Sequence, residues 1–218
     1  MYLEFLDQPR KNLWQALSAA VPTGVLGGGT AIAMQINHRV SYDFDIFFTD
    51  PIPQKLLREV NRLFNNNEIR PIVDSVDELS VVIGDIKVTF LYYPFPPLHE
   101  PIKTNSLSLF HLNDLASNKA YTIGRRPVYR DYVDLFFLLN GKFIRLPEVI
   151  SEAQQRFQGN FNEKLFLEQL TYLEDIESFE IEFIGTPYTP EEVKECLESE
   201  VKNYTGKRFL KDKQTQLP

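Results

Sequence analysis

Gly27-Gly28-Gly29-Thr30-Ala31-Ile32-Ala33-Met34-Gln35-Ile36-Asn37-His38-Arg39-Val40-Ser41-Tyr42-Asp43-Phe44-Asp45 is the stretch that decides the fold. It follows a short apolar run, Val25-Leu26, that reads as a buried strand. The glycines let backbone approach a ligand closely, and the helix expected from Thr30 to about Asn37 adds unpaired amides and a partial positive charge. Thr30 is placed as the cap of that helix. Residues 42–48 alternate polar and apolar, the pattern of a strand. Asp43 and Asp45 then share one strand face, roughly 6.5–7 Å apart along the chain.

Two carboxylates at that spacing suit Mg2+, which prefers oxygen ligands and is commonly held by one or two carboxylates plus substrate phosphates. In two-metal phosphoryl-transfer sites the ions lie ~3.5–4 Å apart. Without a cation, two like charges on one face repel. The glycine turn is neither a P-loop, since Thr30-Ala31 stands where Lys-Ser/Thr is required, nor a dinucleotide fingerprint. Alone, it reads equally as a structural turn, and the aspartates as a solvent-facing alternation. Their order along the chain is what favours a site that binds a nucleoside triphosphate and metal.

Outward from this stretch, residues 9–20 read as an amphipathic helix and 54–66 as a second. Segments 69–74, 79–83 and 86–93 read as strands. Pro94, Pro96, Pro97 and Pro101 then remove ladder donors and are expected to end the sheet. Beyond them the pattern is helical, over 112–124, 129–140, about 147–157, 162–173 and 190–203. Pro190-Glu191-Glu192 is a favourable helix start. The expectation is an α+β chain: a small mixed sheet with flanking helices over 1–100, then a helical domain over 101–218.

The 218 residues carry 43% hydrophobic and 24% charged residues, the proportions of an ordinary globular protein with a core of its own. No apolar run approaches the roughly 20 residues of a membrane span. The N-terminus lacks the pattern of a secretory signal. One cysteine, Cys196, makes no intrachain disulfide. A cytoplasmic location follows as the simplest expectation. The net charge of −7 argues against broad binding to nucleic acid, which is driven by phosphate neutralisation. A local basic patch remains near the end: Lys202, Lys207, Arg208, Lys211 and Lys213, with Tyr204 and Phe209 interleaved. It reads as a solvated tail or as an RNA contact.

Gly28-Gly29-Thr30-Ala31 followed by His38-Arg39-x-Ser41-x-Asp43-x-Asp45 resembles the AbiEii/AbiGii toxin family of nucleotidyltransferases, within the DNA polymerase β-like superfamily. Asp114-Leu115-Ala116-x-x-Lys119-Ala120 is similar to that family's Asp-x-x-x-x-Lys helix motif. Arg130-Asp131-Tyr132-Val133-Asp134-Leu135 is similar to its Asp-x-x-Asp-Leu motif, and Leu170-Thr171-Tyr172-Leu173-Glu174-Asp175 to a recurrent C-terminal element. The resemblance implies a polymerase-β-like core and Mg2+-dependent transfer of a nucleoside monophosphate from an NTP to an acceptor such as tRNA, a protein or a small molecule. It also implies a cognate antitoxin as partner. Asp43 and Asp45 would hold metal, and Gly28, Gly29 and Thr30 would cradle phosphate. Arg39 would grip phosphates bidentately, and Ser41 would ligate phosphate or shape the turn. Lys119 would oppose the triphosphate, with Asp131 and Asp134 completing the site. Lys119 also reads as a solvated lysine, and Arg130 with Asp134 as a helix-face pair. His38 reads as a cap or packing residue.

The family usually has a third carboxylate on a neighbouring strand, two residues after a lysine. Here Lys87 is followed by Thr89. Threonine accepts hydrogen bonds but is no general base near neutral pH. Asp85 shares its parity with Thr89 yet lies four residues away. A catalytically impaired nucleotide-binding or partner-binding protein on the same fold is therefore the alternative. The Tyr92-Tyr93-Pro94-Phe95-Pro96-Pro97 run reads as packing or as a platform for a base.

Overall fold

The computed structural model describes residues 1–65 and 67–215, and side-chain surroundings through Lys207 except at Asn66. Contacts divide the chain into two units, Met1–Leu115 and Ala116–Pro218. The first is built on a mixed six-stranded sheet. Its strands are β1 (Val25–Leu26), β2 (Phe44–Phe48), β3 (Ile69–Asp74), β4 (Glu78–Ile83), β5 (Ile86–Tyr92) and β6 (Ser108–Leu109), in the spatial order β3-β4-β5-β2-β1-β6. β2 runs parallel to β5 and β1 parallel to β6, while the other neighbours are antiparallel.

β6 lies beyond the proline cluster, so the prolines do not end the sheet as expected. Leu109 pairs with Leu26, and Phe110 N–H donates to the Leu26 carbonyl at 3.0 Å. The four prolines occupy an irregular connection, where lost ladder donors cost nothing.

Helices α1 (Gln8–Ala20), α2 (Gly28–Ile36) and α3 (Leu56–Leu63) belong to this unit. α1 begins where Asp7 accepts from Arg10 N–H at 2.9 Å, ahead of Pro9 in the first turn. α3 is shorter at both ends than the 54–66 pattern suggested, because apolar periodicity marks a buried face and not helix termini. One sheet face is core: Phe44, Ile46, Leu79, Val81, Val88 and Phe90 are buried. Trp14 of α1 stacks on Phe44 with ring centroids 6.3 Å apart. The opposite face carries Asp45, Phe47, Thr89 and Leu91, all half-buried, and Lys87, which is exposed.

Helix α4 (Leu112–Thr122) contains the division between units. α5 (Tyr129–Asn140), α6 (Leu146–Phe157), α7 (Glu163–Leu170) and α8 (Pro190–Thr215) belong to the second unit, with a 3-10 turn at Gln158–Asn160. α7 stops three residues before the expected 173. α8 extends well past 203, and it begins with a reciprocal cap. Thr189 N–H donates to Glu192 at 2.8 Å and Glu192 N–H to the Thr189 hydroxyl at 3.2 Å. α5 is buried nearly all round, including two aspartates, so its charges need partners within the core. Phe136, Phe137, Phe183 and Tyr188 form an aromatic cluster beside it.

Phe44→Ala removes a fully buried ring from β2 and its stack on Trp14. It should cost about 3–5 kcal/mol by urea denaturation. Val76→Ala, at a side chain 79% exposed, should change stability by less than about 0.5 kcal/mol.

Candidate active site

The loop from β1 into α2 meets β2 through a backbone bond, Gly27 N–H to the Asp45 carbonyl at 2.8 Å. α2 starts at Gly28, two residues before the expected cap, with Gly27 as its N-cap. Gly28 has φ +64°, and a Cβ there would collide with the Asp45 carboxylate at Oδ2. Asp45 therefore lies directly against the first residue of α2. Only a residue without a side chain, in a left-handed conformation, permits that approach. A Cβ on Gly29 would strike the Arg39 guanidinium and lie 3.3 Å from Ser41 Oγ.

Thr30 does not cap. It is 1% exposed, and its hydroxyl meets Ser41 Oγ at 2.8 Å and the Asp43 carbonyl. It ties the first turn of α2 to the segment that precedes β2, a role that sequence gives no sign of because the partner is eleven residues away. Ser41 thus shapes the turn. Arg39 is 3% exposed and donates to the Val40 carbonyl at 3.0 Å, so its positive charge is packed beneath the helix N-terminus. His38 is buried after Asn37, which closes α2 in the left-handed conformation. Gln35 Nε2 donates to the Phe110 carbonyl at 3.0 Å and fixes α2 to the end of β6.

Asp43 lies one residue before β2, half-buried between the exposed Tyr42 and the buried Phe44, and Asp45 is half-buried within β2 between the buried Phe44 and Ile46. The in–out alternation read from sequence holds from Phe44 onward, and the strand starts two residues later than the expected 42. Asp45 is in register with Thr89 on β5, and Thr89 with Ser80 on β4. Thr89 therefore stands beside Asp45 on the adjacent strand, at the position where the family resemblance implies a third carboxylate. Asp85 is not brought there: its side chain is 76% exposed and lies 3.6 Å from Arg10. Among the described residues no group of three or more His, Cys, Asp and Glu side chains is arranged to hold a metal. The donor set that fits Mg2+ is the hard oxygen pair Asp43 and Asp45, with room in its coordination for phosphate and water.

The second unit brings Lys119, Asp131 and Asp134 together. Lys119 Nζ is 2.6 Å from Asp131 Oδ1 and 2.6 Å from Asp134 Oδ2, and the three residues are 6%, 1% and 0% exposed. Arg126 adds a bond to Asp131 at 3.0 Å. Lys119 is thus no solvated lysine. Arg130 is exposed, while Asp134 pairs with Lys119.

The other motif residues serve structure. Asp114, fully buried, accepts from the N–H groups of Leu98 and His99 at 2.7 and 3.1 Å and so ties down the proline connection. The Tyr132 hydroxyl donates to the Tyr172 carbonyl at 3.2 Å, linking α5 to the C-terminal element. Burial pushes the Tyr129 and Tyr132 phenols up to about 12, with Glu191 and Asp175 respectively adding to the effect, so both are neutral at any physiological pH. Tyr93 packs edge-on against Phe47 and Phe95, each at 5.2 Å, which makes the aromatic run a packing element. In the basic C-terminal stretch Lys202 pairs with Glu198 at 3.2 Å, while the side chains of Arg208, Phe209, Lys211 and Lys213 lie outside the described residues.

Residues 13–199 match the family described as nucleotidyl transferase AbiEii toxin, type IV toxin–antitoxin system. The chain belongs to the AbiEii family of nucleotidyltransferase toxins. An uncharacterized protein of Aquifex aeolicus (strain VF5), aq_aa25, is 32% identical over 208 residues, covering 89% of this AbiEii chain and 97% of its own. Two solved structures share the fold at low identity. MenT4, the nucleotidyltransferase toxin Rv2826c of Mycobacterium tuberculosis H37Rv, has a TM-score of 0.64 at 17% identity over 90% of this chain and 82% of its own. JHP933 from Helicobacter pylori has a TM-score of 0.52 at 15% identity, over 99% and 100%. The mixed sheet with its helical unit is accordingly the α+β nucleotidyltransferase architecture expected from the sequence. Among the described residues no helix is long and apolar enough to cross a membrane.

Lys119→Met leaves two carboxylates buried without their shared cation. It should lower stability by about 3–5 kcal/mol in urea denaturation. Arg130→Ala, at an exposed position of the same motif, should stay within about 0.5 kcal/mol of the parent protein.

Proposed function

We propose that this AbiEii protein is a Mg2+-dependent enzyme that transfers a nucleoside monophosphate from an NTP to an acceptor such as the 3′ end of a tRNA. The observation that carries the proposal is the Asp45 carboxylate pressed against Gly28 at the start of α2, with Asp43 two residues before it. An anionic triphosphate favours the unpaired amides of that first turn, and its metal favours the carboxylates beside them.

In the transfer the acceptor hydroxyl oxygen attacks the α-phosphorus, the bond to the β-phosphate oxygen breaks, pyrophosphate leaves, and the acceptor loses its proton. Gly28, Gly29 and Thr30 offer backbone N–H groups to phosphate oxygens. Arg39 contributes its charge from beneath, and Ser41 holds Thr30 in place. Asp43 and Asp45 would hold Mg2+, which when bound supplies charge neutralisation at the phosphates and activates the acceptor oxygen. The family resemblance also gives Lys119, Asp131 and Asp134 a part in the reaction, and the ion pairs among them within the helical unit support reading the three as one group. A cytoplasmic location and a cognate antitoxin complete the reading.

A second reading has its own support. Thr89 beside Asp45 puts a hydroxyl where a base is expected, which favours a protein that binds nucleotide on this fold with impaired catalysis.

Incubation with Mg2+, each labelled NTP and total tRNA should transfer label to RNA. EDTA should abolish transfer, and Asp43→Asn/Asp45→Asn should reduce it by at least on the order of 100-fold. NTP binding without transfer by the parent protein would favour the second reading. Transfer that persists in the double variant would overturn the site.

A further inference from the structure

Thr89 is not an isolated substitution in the sheet. Ser80 of β4 stands in register with it, and their hydroxyl oxygens are 3.3 Å apart. The Ser80 hydroxyl also donates to Glu78 Oε1 at 2.6 Å. Glu78 and Ser80 are two apart on β4, so they point to the same sheet face as Thr89 and Asp45. Ser80 is 1% exposed. Glu78 is held by the hairpin turn before it, where its backbone exchanges bonds with Ser75: Ser75 N–H donates to the Glu78 carbonyl at 2.8 Å, and Glu78 N–H donates to Ser75 Oγ at 3.0 Å.

Resting on the nucleotidyltransferase reading, we propose that Glu78 supplies the missing carboxylate from two strands away, through Ser80 and Thr89. A hydroxyl has one proton to give. Ser80 faces Glu78 at 2.6 Å and Thr89 at 3.3 Å as a donor. A carboxylate is acceptor-only when ionised, so in the relay the single Ser80 proton goes to the shorter contact and Thr89 turns its own proton toward Ser80. The Thr89 oxygen is then left with its lone pairs free for a donor beside Asp45. The acceptor hydroxyl of the incoming molecule is such a donor.

As its oxygen bonds to the α-phosphorus, its proton passes to Thr89 Oγ, the Thr89 proton to Ser80 Oγ, and the Ser80 proton to Glu78 Oε1. The net change is one proton moved from the acceptor to the Glu78 carboxylate, with pyrophosphate as the leaving group. The 3.3 Å step is long for two hydroxyls, as catalytic hydrogen bonds often are before substrate closes around them. In this relay Thr89 is the residue that touches the acceptor. Glu78 and Ser80 are positioning residues that set the direction of its proton.

Label transfer to total tRNA with Mg2+ and labelled NTPs, read as kcat and as KM for the NTP, tests the relay. Glu78→Gln and Ser80→Ala should each lower kcat by on the order of 100-fold and leave KM within about two-fold. Their double variant should lose no more than either alone, since both break one chain. Thr89→Asp should restore kcat in the Glu78→Gln background by placing a carboxylate directly beside Asp45. Asp85→Asn should match the parent protein. Unchanged kcat in either single variant, multiplying losses in the double, or no restoration by Thr89→Asp would overturn the relay while leaving the enzyme reading intact. A parent protein that transfers no label would overturn both.

Discussion

The close approach of the β1–α2 turn to β2 is the constraint on which the site depends. Gly27 bonds to the Asp45 backbone, and Gly28 has no Cβ to hold the Asp45 carboxylate away from the helix start. Gly29 admits the Arg39 guanidinium beneath the same turn, and the buried Thr30 hydroxyl fastens it to Ser41 and Asp43. The start of α2 and the Asp45 carboxylate are thereby fixed side by side. That is the preorganisation that phosphoryl chemistry draws on, because catalysis there is mostly positioning and electrostatics.

The helical unit solves a different problem with the same kinds of residue. α5 is buried on nearly every side, and two aspartates in such a helix need a cation. Lys119 provides it at 2.6 Å to each carboxylate, and Arg126 reaches Asp131 from outside. Charges so deeply placed contribute little net stability as a pair but are costly to break. The triad is therefore part of what holds the helical unit together.

Much of this was legible from the residues. β1, the alternation that places Asp45 and Thr89, and the order of the helical motifs all follow from local patterning, which burial preserves. The sequence motifs also singled out Lys119, Asp131 and Asp134 as a group. What escaped was set by contacts distant in sequence. Thr30 looked like a cap because its type caps helices, but its hydroxyl found Ser41 across the turn. β6 was hidden by its two-residue length and by the prolines before it. Asp114 belongs to a helix motif, yet its carboxylate is occupied by the N–H groups of Leu98 and His99. The Glu78–Ser80–Thr89 line appears only once β4 and β5 are in register, since nothing local marks a glutamate near a hairpin turn as part of a site two strands over.

The central claim is that nucleotide and metal meet where α2 begins. A crystal structure with Mn2+ and a non-hydrolysable NTP analogue tests it most directly, since manganese is located by anomalous scattering. The account predicts manganese bound to Asp43 and Asp45, with the triphosphate lying over Gly28, Gly29 and Thr30. Nucleotide seated elsewhere, with manganese bound to neither aspartate, would contradict it.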